Sequence, residues 1–232
     1  MLHDDAQLVA VDKAAGVLTV PTAKREKNAL IDQLRRHLRC ELHVVHRLDR
    51  DTSGVLVFAK DRRTLDALVE GWALHERIYA AIAHGSVARD EGRMESRLVT
   101  AKNLDRRSAR GGEEGERAVT HYRVIERVNG ATALDVTLET GRRNQIRVHL
   151  RELGHPLLGD ERYARDVRAH PLWRGGLALH ARTLSFVHPA TRQRLVLDAG
   201  IPLAFTRFLA AARARTATVP RDRARSARSR AR

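Results

Sequence analysis

Short apolar runs alternate along this chain with stretches of helical period, and most of the runs have strand length. Leu8-Val9-Ala10-Val11 reads as a strand that ends in the turn Asp12 to Gly16, and Val17 to Val20 as a second strand stopped by Pro21. Leu30, Ile31, Leu34 and Leu38 fall on one helical face, with Asn28 placed to cap that helix. Val55 to Ala59 is a continuous apolar run that fits a buried strand. Asp61 stands where an N-cap belongs, and Leu65, Leu68, Val69 and Trp72 give the following helix its apolar face. Ile78 to Ala83 is strand-like and closes near Gly85.

From Arg89 to Glu116 charges mix with glycines around one apolar pair, Leu98-Val99, which predicts a mobile excursion. Order resumes with strands Val119 to Val128 and Ala131 to Glu139, joined at Asn129-Gly130, a strong hairpin signal. Thr140 to Leu153 can form a helix ended by Gly154, Leu177 to Val187 and Arg194 to Leu197 read as strands, and Pro202 opens a last helix through about Ala212. Strands outnumber helices and pair mostly through hairpins, which predicts an α+β fold rather than a doubly wound parallel sheet.

Bulk properties narrow the function. The 232 residues suit one catalytic domain, 1–212, followed by a basic tail, 213–232, without apolar period and therefore expected to be disordered. No apolar run approaches the length of a membrane span, the acidic start MLHDD lacks the basic region of a signal peptide, and the single cysteine, Cys40, fits a reducing cytoplasm. The net charge of +15 favours polyanionic partners, chiefly nucleic acid. The tail contributes eight arginines against one aspartate from Ala211 onward, and the rest of the chain is still basic.

Chemistry concentrates in two places. In VHRLDRDTSG, from Val45 to Gly54, the carboxylates Asp49 and Asp51 stand among His46, Arg47 and Arg50, directly before the apolar run. Cations around a carboxylate favour its ionised form, so Asp49 reads as a nucleophile, base or charge stabiliser with a depressed pKa. Far away, TGRRNQIRVHLR, from Thr140 to Arg151, places Arg143, Arg147 and Arg151 four apart, a stripe able to clamp phosphate or carboxylate groups. His43 and His46 have a metal-like spacing but no third ligand nearby, so no metal site is expected.

Taken together these residues resemble the RluA-type pseudouridine synthases, which isomerise uridine in RNA. That family's His-Arg-Leu-Asp, two variable residues, Thr-Ser-Gly and apolar strand ending in Ala-Lys match His46 to Lys60 at every fixed position. Further likenesses follow in order: Lys13 to Gly16, Arg77 to Ala81, Thr140 to Leu150, Gly154 to Tyr163 and Leu179 to Pro189. Three positions depart from the family pattern: Ala14 for Pro, Arg77 for Lys and Asn144 for His. No small RNA-binding domain precedes residue 1, so recognition is expected from the catalytic domain and the tail.

The resemblance implies a catalytic fold with a central, mostly antiparallel mixed sheet, flanking helices and a cleft. It implies detachment of uracil from C1′, its rotation and its rejoining through C5, with no cofactor. Asp49 would be the catalytic carboxylate, acting at C1′ or C2′. Arg147 would pair with it, and Tyr79 would stack on the uracil. His46, Arg47, Thr52, Arg142 and Gln145 would contact substrate, with Arg47 filling the gap left by a flipped nucleotide. The expected partner is ribosomal or transfer RNA, met by a monomer in the cytoplasm. A noncatalytic RNA-binding module of the same fold and a metal-dependent nuclease using Asp49, Asp51 and His46 are the competing readings.

Overall fold

The computed structural model describes residues 1–21, 28–101, 103 and 105–217. In chain order its elements are β1 (His3–Asp4), β2 (Leu8–Lys13), α1 (Leu30–Leu38), β3 (His43–Val44), β4 (Ser53–Ala59), α2 (Arg62–Glu70), β5 (Glu76–His84), β6 (Glu91–Thr100), β7 (Arg106–Ser108), β8 (Glu116–Val128), β9 (Ala131–Leu138), α3 (Gln145–Glu152), β10 (Leu179–Val187), β11 (Arg194–Asp198) and α4 (Leu203–Ala217). The strands form one sheet in the order β1-β2-β4-β10-β5-β9-β8-β6-β7, with β3 added beside β4 and β11 beside β10. Every pairing is antiparallel except β4 with β10. The α+β expectation of a mostly antiparallel mixed sheet with flanking helices therefore holds.

Both faces of the sheet are covered. Alternate residues of β2 and β4 point to opposite sides, so Val9, Val11, Leu56 and Phe58 pack with Ile31 and Leu34 of α1 on one face. Leu8, Ala10, Val55 and Val57 pack with Leu68 of α2 on the other. Farther along, Ala81, Leu134 and Val136 meet Ile146 and Leu150 of α3, while Ala80 and Ile82 meet Phe205 and Phe208 of α4. Tyr79 packs against both the α1 cluster and the α3 cluster. It stands where those two cores meet, and the cleft opens there.

Several local expectations need correction. Residues 17–20 form no strand: Leu18 and Thr19 instead accept the first amides of α1 through their carbonyls. Asn28 does not cap α1, whose N-cap is Ala29 without a side-chain bond. Asp61 does cap α2, accepting from the Thr64 amide at 2.8 Å. The segment expected to be a mobile excursion contains β6 and β7. Along β6 charged residues at Glu91, Arg93, Glu95 and Arg97 are exposed, and Gly92, Met94, Ser96 and Leu98 turn inward, a period-two pattern masked by Gly92 and Ser96, which interrupt its apolar face. Helix α4 continues to Ala217, past the boundary set at 212, and residues 218–232 of the basic tail lie outside the described residues.

The strand β4 carries the Val45 to Thr52 loop into the core and requires glycine at its second residue. Gly54 has φ 114, and a Cβ there would stand 2.2 Å from the Ala181 carbonyl oxygen of β10. Both facts forbid a side chain. Gly54→Ala is expected to destabilise the fold by about 3–5 kcal/mol, read from the urea midpoint, and an unchanged midpoint would mean that β4 and β10 part without loss.

A clasp joins the two ends of the fold. Asp5 accepts from His3 at 2.7 Å and from His188 at 3.0 Å. These three residues also form a potential metal-ligating group. The Nδ1 of His188 accepts the amides of Ala190 and Thr191, so its Nε2 carries the proton that binds Asp5. The cluster is a hydrogen-bonded clasp.

Candidate active site

The loop Val45 to Asp51 is held from below by the turn that follows β2. Lys13 is almost fully buried, and its ammonium donates to the carbonyls of Ala14, Val17 and Arg50 at 3.0, 2.8 and 3.0 Å. Gly16 bonds the same Arg50 carbonyl through its amide, and Thr19 bonds both backbone groups of Leu48. The Thr52 amide turns back to the Asp49 carbonyl at 3.1 Å. These bonds fix the backbone of residues 48–52 and aim Asp49 into the cleft. Burial lowers the Lys13 pKa to about 8, with Asp51 and Asp49 opposing that shift.

The cleft has a volume of about 550 Å³ and is lined by Asp49, Tyr79 and Arg147, among others. His46, Arg47, Thr52, Arg142 and Gln145 line it as well. Three distant pieces of sequence therefore meet: the loop before β4, the middle of β5 and the start of α3.

Asp49 differs from expectation in its proton affinity. Desolvation is the largest influence and raises its pKa; Arg147, the Asn144 amide, Arg143 and Arg47 pull the other way without overcoming it. The depressed value expected from the neighbouring cations is therefore corrected: those cations offset only part of the cost of burying the charge.

Arg147 also departs from the expected geometry. Its Nε and Nη2 bind the two carboxylate oxygens of Asp160 at 2.8 and 2.7 Å, and Asp160 has no exposed side-chain surface. Asp160 further accepts the amides of Arg162 and Tyr163 at 3.0 and 2.9 Å. Arg147 thus acts on Asp49 through its field, while its fork is occupied by Asp160. The Tyr163 ring lies 5.1 Å from the guanidinium carbon and fixes it from the side.

Asn144, at the position where a His was noted as usual, is the hinge of the arrangement. It adopts φ 56, a left-handed conformation that Asn tolerates, and α3 begins only after it. The helix expected from Thr140 therefore starts at Gln145. The Asn144 side chain donates to the Tyr163 hydroxyl at 3.1 Å while its amide supports Asp49.

The substrate-contact expectations divide. Gln145 is buried and its polar atoms are all engaged: Oε1 accepts from Thr140 and from the Arg142 amide, and Nε2 donates to the Val119 carbonyl and the Thr120 hydroxyl. It shapes the loop and has no free group for a ligand, which corrects its assignment. His46 accepts the Val57 amide on Nε2 at 3.1 Å and packs on Trp72 with ring centroids 4.6 Å apart. Burial, with Arg77 and His75 nearby, lowers its pKa to about 3, so His46 is a neutral wall of the cleft. Arg47 and Arg142 are exposed at the rim, and Arg142 reaches Glu116 at 3.1 Å. Thr52 is buried behind Asp49.

Tyr79 is held by pairing with Val136 of β9 and Ala181 of β10. Burial raises its pKa to about 12, so its hydroxyl keeps its proton at neutral pH.

Comparison with known proteins agrees with this architecture. The profile described as RNA pseudouridylate synthase matches residues 7–152. The ribosomal large subunit pseudouridine synthase D of Zymomonas mobilis is 35% identical over 219 residues, covering 87% of this chain and 69% of that protein. The protein of the same name from Xanthomonas campestris is 35% identical over 231 residues, covering 92% of this chain and 69% of its own length. Among solved structures, human RNA pseudouridylate synthase domain containing 4 superposes with a TM-score of 0.74 at 25% identity, covering 91% of this chain and 92% of that one.

Proposed function

Because the chain belongs to the RNA pseudouridylate synthase family and is an RNA pseudouridine synthase, we propose that it isomerises uridine in large-subunit ribosomal RNA, with Asp49 as the catalytic carboxylate. The single observation that carries the residue assignment is a carboxylate lining the cleft, crowded by protein, with Arg147 and the Asn144 amide favouring its charged form against burial. The choice of RNA rests on the names of the relatives.

The reaction needs an oxygen that can act at the ribose while uracil leaves. A carboxylate stripped of water is a stronger nucleophile or base than a solvated one, because no hydration shell must be removed first. Asp49 meets that need for attack at C1′ and for proton removal at C2′. Arg147 is a positioning residue: anchored by Asp160, it keeps a positive charge beside Asp49 without forming a tight pair that would quench it. Tyr79 would stack on the detached uracil, and its un-ionised hydroxyl would bond the ring through the rotation and sit near the C5 proton. Because the target base must leave its stack to reach the cleft, Arg47 at the rim would fill the gap it leaves. His46 and Thr52 would shape the pocket around the ribose, and Arg142 would meet phosphate at the rim once it exchanges Glu116 for RNA.

We further propose that the catalytic domain works as a monomer in the cytoplasm, consistent with its free Cys40. Among the described residues no helix is long and apolar enough to cross a membrane. Residues 218–232 would add a sequence-independent phosphate-binding arm.

Incubating unmodified large-subunit ribosomal RNA with the purified chain should produce pseudouridine at discrete positions, mapped by sequencing. Modification of transfer RNA alone would reassign the substrate, and RNA binding without any pseudouridine would favour a noncatalytic module. Tyr79→Phe is expected to lower kcat by roughly 10²–10⁴-fold with KM changed only a few-fold, since the ring remains to stack. A change confined to KM would leave the hydroxyl without a part in the chemistry.

A further inference from the structure

Two buried guanidinium groups line the cleft, and they are treated differently. Arg147 is neutralised by the two oxygens of Asp160. Arg77, 6% exposed, forms no ion pair among the described residues. Its Nη2 donates to the carbonyls of Leu138 and Glu139 at 2.9 and 3.1 Å, and its Nε has no hydrogen-bond partner. Its neighbour in sequence, Glu76, is engaged by Arg194 instead. A buried charge without a counterion is expensive, and proteins normally pair it.

The guanidinium of Arg77 is covered on one face and lines the cleft on the other. Trp72 lies 5.5 Å from the guanidinium carbon and covers it without neutralising it. The nearby His46 and His75 cannot supply a negative charge. Gly141, which also lines the cleft, faces Nη1, and a Cβ there would stand 3.2 Å from that nitrogen. The missing side chain leaves that nitrogen approachable from the cleft, which Gly141 and Arg77 both line.

We propose that Arg77 is the phosphate-binding residue of the cleft, taking a phosphodiester that adjoins the target uridine. The inference rests on the proposed RNA substrate. Uracil carbonyls are neutral and would leave the buried charge uncompensated, whereas each nucleotide of RNA carries one anionic phosphate. The ion pair therefore completes only when substrate is seated, which links binding energy at a non-reacting part of the nucleotide to placement of C1′ over Asp49. It also gives a reason for the cation at this position: Lys, noted as usual there, would supply the same charge, while Arg holds the two carbonyls through Nη2 and keeps Nη1 for the anion.

The test is titration of the chain, Arg77→Gln and Arg77→Lys with uridine, uridine 3′-monophosphate and uridine 5′-monophosphate, followed by tryptophan fluorescence, because Trp72 touches the guanidinium. One of the monophosphates is expected to bind the unaltered chain at least tenfold more tightly than uridine. Arg77→Gln should abolish that preference and Arg77→Lys should keep most of it. Equal binding of all three ligands by the unaltered chain, or a preference that survives Arg77→Gln, overturns the proposal. The first comparison needs no variant and so stands if Arg77→Gln fails to fold. Pseudouridine formation by the same preparation is read separately: an active chain without phosphate preference overturns the Arg77 assignment alone, and an inactive one strikes at the proposed function.

Discussion

Asp49→Asn is expected to abolish turnover and, at neutral pH, to raise the melting temperature of the folded chain. The loss of rate should reach roughly 10⁴-fold or more, the scale seen when a reacting group is removed. The gain in stability follows from the direction of the Asp49 pKa, which burial raises above the ordinary 3.8. A carboxyl whose folded value lies above its unfolded one contributes stability that is full below the unfolded value and is lost as pH rises through the folded value. Above the ordinary value the Asp49 carboxyl is therefore a net burden on the fold, and an amide of the same shape removes it. The advantage of the variant should shrink as pH falls through the folded value and vanish below about 3.8. Calorimetry of both proteins across pH 3 to 8 reads this directly, and RNA binding by the variant should stay within a few-fold of normal. A variant less stable at pH 7 would mean that Asp49 is held by favourable bonds that outweigh its desolvation.

The second large effect concerns Asp160. Asp160→Asn is expected to lower stability by about 3–5 kcal/mol, because it strands the buried Arg147 guanidinium without a counter-charge. Activity should fall as well, since Arg147 would lose the anchor that sets its distance from Asp49. Pairing Asp160→Asn with Arg147→Met removes both charges together while a side-chain oxygen still accepts the amides of Arg162 and Tyr163, and that double variant should regain most of the stability while remaining inactive. Urea midpoints and pseudouridine yield separate the two effects. If the single variant keeps a normal midpoint, the buried pair is not the strut described here.

These two residues also mark what could and could not be read from the sequence. Asp49 was legible because its loop is contiguous: His46 to Lys60 carries the family pattern in one piece, and an apolar run behind it signals a buried strand. Asp160 lies within the Gly154 to Tyr163 likeness, but its pairing was not legible, because nothing in the chain records which carboxylate lies behind Arg147 once the fold closes. The sequence displays the arginines around Asp49 but not its burial, so it suggests a depressed pKa where desolvation produces a raised one. Lys13 was visible as part of a turn, yet its bonds go to carbonyls, which carry no sequence signature. The strand β6 escaped notice because Gly92 and Ser96 break the apolar face that Met94 and Leu98 begin, and α3 starts late because Asn144 turns left-handed and Gln145 spends its side chain on the loop. By contrast, strands with strong apolar runs such as β4 and β5, and the Asn129-Gly130 hairpin between β8 and β9, appear where the hydrophobic pattern puts them.

The central claim is that Asp49 starts an exchange in which uracil is rejoined through C5, and that exchange expels the hydrogen at C5. Ribosomal RNA labelled with tritium at C5 of uridine should therefore release its label into water when mixed with this chain, in step with the pseudouridine formed. Under the same conditions Asp49→Asn should bind the RNA and release none. Undiminished release from the Asp49→Asn protein would contradict the account.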